Sequence, residues 1–295
     1  MCEESRFPRT DLATERRRAD LALPGTDYRE TTEGRFTVTR ITIGDEVSAR
    51  AIGRPIGRYL TVAFPPLETL SDGEREALGN VLLREIGSLL PRRRGTVEPT
   101  VLVAGLGNRA IVSDAVGPET VGRLTATSHL AEREPELFRS LGCAAVATVA
   151  PGVLADTGVE AAGIVAGVCR ALRPDYVLAI DALAARSADR LLTTVQIADT
   201  GIRPGSGIGN ARSAIDRTTL GIPVISIGVP TVVEAATLVS DRLERAGIPE
   251  ETRDGLIERD LFFVTPKDVD LSVGRIARLL SDALSSLYRL PREND

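Results

Sequence analysis

From residue 100 onward, short apolar runs without alternation take turns with stretches at helical spacing, and this rhythm constrains the fold more than any other feature. The runs are Thr100-Val-Leu-Val-Ala104, Ala144-Ala-Val-Ala-Thr-Val149, Tyr176-Val-Leu-Ala-Ile180, Leu191 to Ala198 and Pro223-Val-Ile-Ser-Ile227. A strand that is apolar on both sides has to be covered on both sides, as in a parallel sheet with helices on each face. Helices are expected from Val159 to Leu172 and from Val232 to Ala246. A last helix is expected to open at Thr265-Pro266, a cap residue followed by proline at the first helical position, and to end at Pro291. Its buried stripe is Val269, Val273, Ile276, Leu280, Leu284 and Leu287. The class expected is α/β, a single domain with a mostly parallel central sheet flanked by helices.

Upstream the pattern changes. Phe36-Thr-Val-Thr-Arg-Ile-Thr-Ile43 alternates apolar with polar residues and reads as a half-buried strand, and Tyr59 to Phe64 reads as a second. Ser71-Asp-Gly-Glu74 has the spacing of a capping box, and Leu78, Val81, Leu82, Ile86 and Leu89 continue at helical intervals until Pro91. Arg92-Arg-Arg94 reads as a solvated linker. Residues 1 to about 33 are polar and charged, with Pro24-Gly25 near their end, and read as an irregular N-terminal arm.

Composition narrows the chemistry. With 295 residues the chain can bury a core without staples. The net charge of −5 argues against a broad phosphate-binding surface, so no nucleic-acid partner is expected. Three cysteines (Cys2, Cys143 and Cys169) show no metal spacing and fit a reducing compartment. No apolar run is long enough for a membrane span and no leader-like segment opens the chain, so a cytoplasmic protein without membrane partners is expected. His129 is the single histidine and reads as a surface residue, which leaves no multi-histidine zinc site within one chain. No metal and no cofactor are expected, and catalysis falls to carboxylates, backbone amides and arginines.

Ligands of such sheets bind beyond the carboxyl ends of the strands. Three loops there stand out. The first, Gly105 to Pro118, holds Gly105-x-Gly107-x-x-Ala110, a loose match to a dinucleotide fingerprint, and also Asp114. Asp114 reads either as a functional carboxylate or as an N-cap of the following helix. The second places Asp181 directly after the apolar run Tyr176 to Ile180, where it either acts with Asp114 or caps a turn or pairs with Arg186. Two carboxylates in one crevice resist joint ionisation, so one keeps a proton while the other acts as base. The third, Ala198 to Asn210, is rich in glycine, with Gly205 and Gly207 at its centre and Arg203 and Arg212 on its flanks. Its amides could meet an anionic or carbonyl oxygen. Arg186, Arg203 and Arg212 are candidates for binding an acidic substrate side chain.

Arg9-Thr-Asp-Leu-Ala13, Gly105-Leu-Gly-Asn108, Ser113-Asp-Ala115, Ile180-Asp-Ala-Leu-Ala-Ala-Arg-Ser187, Asp199-Thr-Gly201, Pro204-Gly-Ser-Gly207, Gly209-Asn210, Gly228-Val-Pro-Thr-Val-Val233 and Val264-Thr-Pro-Lys267 together resemble the germination protease family of endospore-forming bacteria. The resemblance runs from about residue 9 to residue 289. It implies an endopeptidase that initiates degradation of small acid-soluble spore proteins at germination, in the spore core. It further implies a self-processing zymogen, a homotetramer, and two required aspartates, which match Asp114 and Asp181. The fold implied is related to that of hydrogenase maturation proteases.

Substrates of the family are cut after the acid in a segment of the type Thr/Ser-Glu-Phe/Ile-Ala-Ser/Thr-Glu. Thr10-Asp-Leu-Ala-Thr-Glu15 has the same order of side chains. Self-cleavage is therefore expected between Asp11 and Leu12, dividing the chain into a propeptide, 1–11, and a peptidase domain, 12–295. One departure is the short stretch Gly247 to Phe263, where a longer segment is expected for the family. The rival readings are a metal-assisted maturation-type peptidase and a non-catalytic nucleotide- or partner-binding module.

Overall fold

The computed structural model describes residues 10–16, 23–91, 98–205, 212–249, 252–253 and 262–291. Among them, one sheet is built from β1 (Thr26–Glu33), β2 (Phe36–Ile43), β3 (Gly57–Ala63), β4 (Thr100–Gly105), β5 (Ala145–Val149), β6 (Tyr176–Ala185), β7 (Thr194–Ala198), β8 (Val224–Glu234) and β9 (Phe263–Val264). Their order is β1-β2-β3-β7-β8-β6-β4-β5, with β9 on β8. The strands β8, β6, β4 and β5 pair in parallel, while β1, β2, β3 and β7 form an antiparallel wing that joins β8 through β7.

Successive strand residues face opposite sides of the sheet. One side carries Val101, Val103, Leu178, Ile180, Val195, Ile197, Ile225 and Ile227, which pack under the helices Asp72–Leu89 and Val269–Tyr288. The other side carries Leu102, Ala104, Val177 and Ala179 beneath the small-residue helix Ala161–Leu172. On that second side the antiparallel wing has its own cover, where Ile41, Ile43 and Tyr59 meet Ala49 and Ile52 of the helix Glu46–Ile52. Burying a side chain such as Leu178 or Ile180 contributes about 1.5–3 kcal/mol, and this repetition on both faces holds the layers together.

The helix Asp72–Leu89 starts on the expected capping box: the Ser71 hydroxyl accepts from the Glu74 amide, and Glu74 accepts from the Ser71 amide. Several expectations need correction. Residues 10–16 and 23–33 are not an irregular arm. Thr26–Glu33 is a full strand paired with β2, turned by a two-residue loop in which Gly34 takes φ +60. Seven of its eight residues are exposed, so it carries no alternation to read. Parallel β6 and β8 run on well past their apolar runs, to Ala185 and Glu234. Asp181 therefore sits inside a strand rather than at its end, and Val232, Val233 and Glu234 are strand residues instead of the start of a helix. Thr265 does not cap the last helix; its hydroxyl donates to the Thr231 carbonyl at 2.9 Å, and the helix begins at Val269.

Candidate active site

β4 ends at Gly105, and the chain crosses a loop into the short turn Val112–Asp114 and the helix Val116–Val121. Asp114 does not cap that helix. Its Oδ2 accepts from the Asn108 amide at 2.7 Å, which folds the loop over its own carboxylate. Gly107 makes this closure possible: it takes φ +113, and a Cβ there would overlap the Asp114 carbonyl. The loop is tied to its neighbours on both sides. The Leu106 amide donates to the carbonyl of Ile180 at 2.8 Å, one residue before Asp181. The Thr231 hydroxyl of β8 donates to the Ser113 carbonyl at 2.6 Å.

Asp181 is 5% exposed, and its Oδ1 accepts from the Ala182 amide at 2.9 Å. Burial pushes its carboxyl well above the usual carboxylate range, repulsion from Asp114 and Asp11 pushes it further, and the Ala182 amide opposes them. Asp114 is half-buried. Burial raises it as well, but the Asn108 amide and the Arg212 charge pull it back. Asp114 thus bears on Asp181, and burial together with that neighbouring charge favours the proton on Asp181.

Against these groups lies the segment Thr10–Arg16, docked rather than extended into solvent. Leu12 is 0% exposed and packs on Leu183, Ala185, Leu191 and Val233. The Asp11 amide donates to the Ala184 carbonyl at 2.8 Å, and the Ala184 amide donates to the Asp11 carboxylate at 3.0 Å. Gln196 of β7 receives the Ala13 amide on Oε1 at 2.7 Å and donates from Nε2 to the Asp11 carbonyl at 3.0 Å. The Glu15 carboxylate accepts from the amides of Arg186 and Ser187 at 2.7 and 3.0 Å, and from the Thr10 hydroxyl. Thr10 to Ala13 are buried and both carboxylates of the hexapeptide are engaged, so the segment sits on the sheet as a bound peptide would, although the Thr14 hydroxyl has no partner.

A family model described as germination protease matches residues 8–246. The chain belongs to the germination protease family. A germination protease of Caldanaerobacter subterraneus subsp. tengcongensis is 38% identical over 94% of this chain and 93% of its own length. That of Clostridium tetani is 34% identical over 94% of each chain, and that of Bacillus cereus is 39% identical over 80% of this chain and 66% of its own. The first two are matched along nearly their whole length. Among solved structures, a NiFe hydrogenase maturation protease from Thermococcus kodakarensis KOD1 aligns over 69% of this chain and 99% of its own, with 16% identity and a TM-score of 0.37.

In this germination protease family member the expected arginines separate. Arg212 acts on Asp114. Arg203 is exposed. Arg186 does not reach for the docked acid with its side chain, because its guanidinium is held by Asp241 at 3.4 Å and Glu244 at 2.5 Å. These bonds also leave no Asp181–Arg186 pair of the kind that could have explained Asp181 as a structural residue. Gly205 lies in the third loop with φ +74, whereas Gly207 lies outside the described residues. Two site residues were missed in the sequence. Arg54 donates from Nη2 to the Thr10 carbonyl at 3.2 Å and lies 3.9 Å from the Asp11 carboxylate. Gln196 had a signal that could have been read, a carboxamide in the middle of Thr194-Val-Gln-Ile-Ala198; Arg54, in a turn after a helix, had none. Among the described residues, no three or more His, Cys, Asp or Glu side chains gather as a metal site would require, and no helix is long and apolar enough to cross a membrane.

Proposed function

We propose that this chain is an endopeptidase that initiates breakdown of small acid-soluble spore proteins at germination, made as a zymogen that cuts its own Asp11–Leu12 bond. The observation that carries the reading is the docked Thr10–Glu15 hexapeptide, whose Asp11 bears on the buried Asp181. Asp181 holds the proton and serves as acid; Asp114, steadied by the Asn108 amide and the Arg212 charge, serves as base. Water attacks the Asp11 carbonyl carbon and gives a proton to Asp114. As the C–N bond breaks, the Asp181 proton moves to the Leu12 nitrogen. The products are a carboxyl on Asp11 and an amine on Leu12.

The acidic side chain before the cut is bound by Arg54, in the role for which Arg186, Arg203 and Arg212 were the candidates. Arg212, Arg203 and the loop at Gly205 border the cleft. The homotetramer and the spore-core location come from the family resemblance, and sedimentation of the purified chain tests the first.

The deciding experiment incubates wild type, Asp114→Asn and Asp181→Asn across a pH series and reads intact mass and the new N-terminus. A Leu12 N-terminus in wild type alone supports the reading, with both variants folded by circular dichroism. The same cut in either variant removes that aspartate from the chemistry, and no cut in wild type at any pH removes the zymogen step.

A further inference from the structure

The register of the sheet places Gln196 and Asp181 in one transverse row. Gln196 of β7 pairs with Gly228 of β8, and Gly228 pairs with Asp181 of β6. Residues directly opposite on neighbouring strands share a face, so both side chains rise from the same side of the sheet, two strand spacings apart, or roughly 10 Å. The residue between them has no side chain. The Leu183 side chain fills that gap, so that a Cβ on Gly228 would overlap it, and Leu183 in turn forms part of the surface on which Leu12 packs. The floor of the groove thus runs from a carboxamide, across an apolar patch, to a buried carboxyl.

Gln196 is 8% exposed in a strand whose every residue is buried. An amide in such a place requires partners, and both of its partners are backbone groups of the docked segment. They flank Leu12. The Nε2 donor is on the carbonyl of Asp11, and the Oε1 acceptor is on the amide of Ala13, with the Asp11–Leu12 bond between them. We infer that Gln196 is a catalytic residue of this peptidase: its Nε2 holds the scissile carbonyl oxygen as that oxygen gains negative charge, while its Oε1 fixes the chain on the other side of the cut. The inference rests on the reading proposed above, since it needs Asp11–Leu12 to be the bond that is cut.

In the addition step, water bonds to the Asp11 carbon, its proton passes to Asp114, and the carbonyl electron pair moves onto the oxygen under the Gln196 donor. In the collapse that pair reforms the double bond as the Leu12 nitrogen leaves with the Asp181 proton. A donor fixed in place before the reaction stabilises charge far better than one that must be recruited from water, and losing one such donor typically costs about 10²–10³-fold in rate.

The test is the first-order rate at which the full chain acquires a Leu12 N-terminus, measured over a pH series for wild type, Gln196→Met and Gln196→Glu. Methionine fills the space with neither donor nor acceptor. Glutamate keeps the acceptor for Ala13 and can donate only when protonated; the ionisable groups around the docked segment are Asp11, Glu15, Arg54 and Asp181. Expected is a loss of about 10²–10³-fold for Gln196→Met at every pH, with a similar loss for Gln196→Glu at neutral pH that narrows as pH falls. A purely structural role would give two variants with the same pH profile as wild type. If Gln196→Met does not fold, the profile of Gln196→Glu decides alone. Either variant cutting within threefold of wild type at neutral pH overturns the role of Gln196 and leaves the peptidase reading standing. A wild type that never cuts overturns both.

Discussion

Truncating Leu12 to alanine separates a docked segment from an integral part of the core. The side chain is fully buried against Leu183, Ala185, Leu191 and Val233, residues of β6, β8 and the turn before β7. Replacing a buried leucine with alanine costs about 2–5 kcal/mol, and a cavity lined from several elements relaxes only partly, which favours about 3 kcal/mol here. If the segment docks as a unit, that cost falls on the docking equilibrium alone. At about 1.4 kcal/mol per tenfold change, the docked-to-undocked ratio drops roughly 100-fold or more. Hydrogen exchange reads this directly through the amides of Asp11, Ala13 and Glu15, which bond to Ala184, Gln196 and Leu12. The Asp114→Asn background, inactive on the proposed reading, is used so that the chain stays intact during the measurement. Expected is a loss of protection of about 100-fold at these three amides, with the amides of β4 and the melting temperature little changed. Unaltered protection, or an equal loss in the segment and in β4, would refute separate docking.

Two further outcomes follow from the site. Arg54→Ala should slow cleavage at Asp11–Leu12 by roughly 10–100-fold, the worth of a charge-assisted contact of about 1.5–3 kcal/mol, and the effect should shrink in a chain that also carries Asp11→Asn; independent effects of the two changes would place the arginine elsewhere in the reaction. Asp181 should make stability depend on pH in a definite sense. Its folded pKa is raised, so the folded chain binds more protons than the unfolded one between the two values. Stability therefore declines as pH rises from the unfolded value, about 3.9, through the folded one. Denaturant titrations of Asp181→Asn should lack this decline and approach wild type at low pH; parallel curves would contradict the burial argument.

The buried half of the molecule was legible because its strands are apolar on both faces and its two longest helices carry apolar stripes, one of them opened by a capping box. The apolar runs mark where β6 and β8 begin, but not where they end. Asp181 reads as the end of its run in sequence, whereas β6 and β8 continue their ladder past it and past Pro230. β1 was illegible for the opposite reason: its side chains face water, and only its backbone bonds to β2 make it a strand. At the site, Asp181 stood out as an acid directly after an apolar run and Asp114 as one in the loop after another, while Arg186 stood among the candidates for the substrate because no sequence pattern reveals its pairs with Asp241 and Glu244. The burial of Thr10–Glu15 was missed for a similar reason. A polar hexapeptide looks solvated until the amides of Arg186, Ser187 and Ala184 are found waiting for its carboxylates.

Cutting one bond does not remove a ligand that is still attached by its other end. If the chain cuts itself at Asp11–Leu12 as proposed, the contacts of Thr10 and Asp11 with Arg54, Ala184 and Gln196 would belong to a free fragment, but Leu12 would keep its apolar seat and Glu15 its two amides. A short tether holds such a segment at an effective concentration in the millimolar range, which an incoming protein substrate must outcompete. Turnover would then be timed by the departure of residues 12–16 rather than by the cut, giving a lag between processing and activity whose length is set by the grip on Leu12 and Glu15.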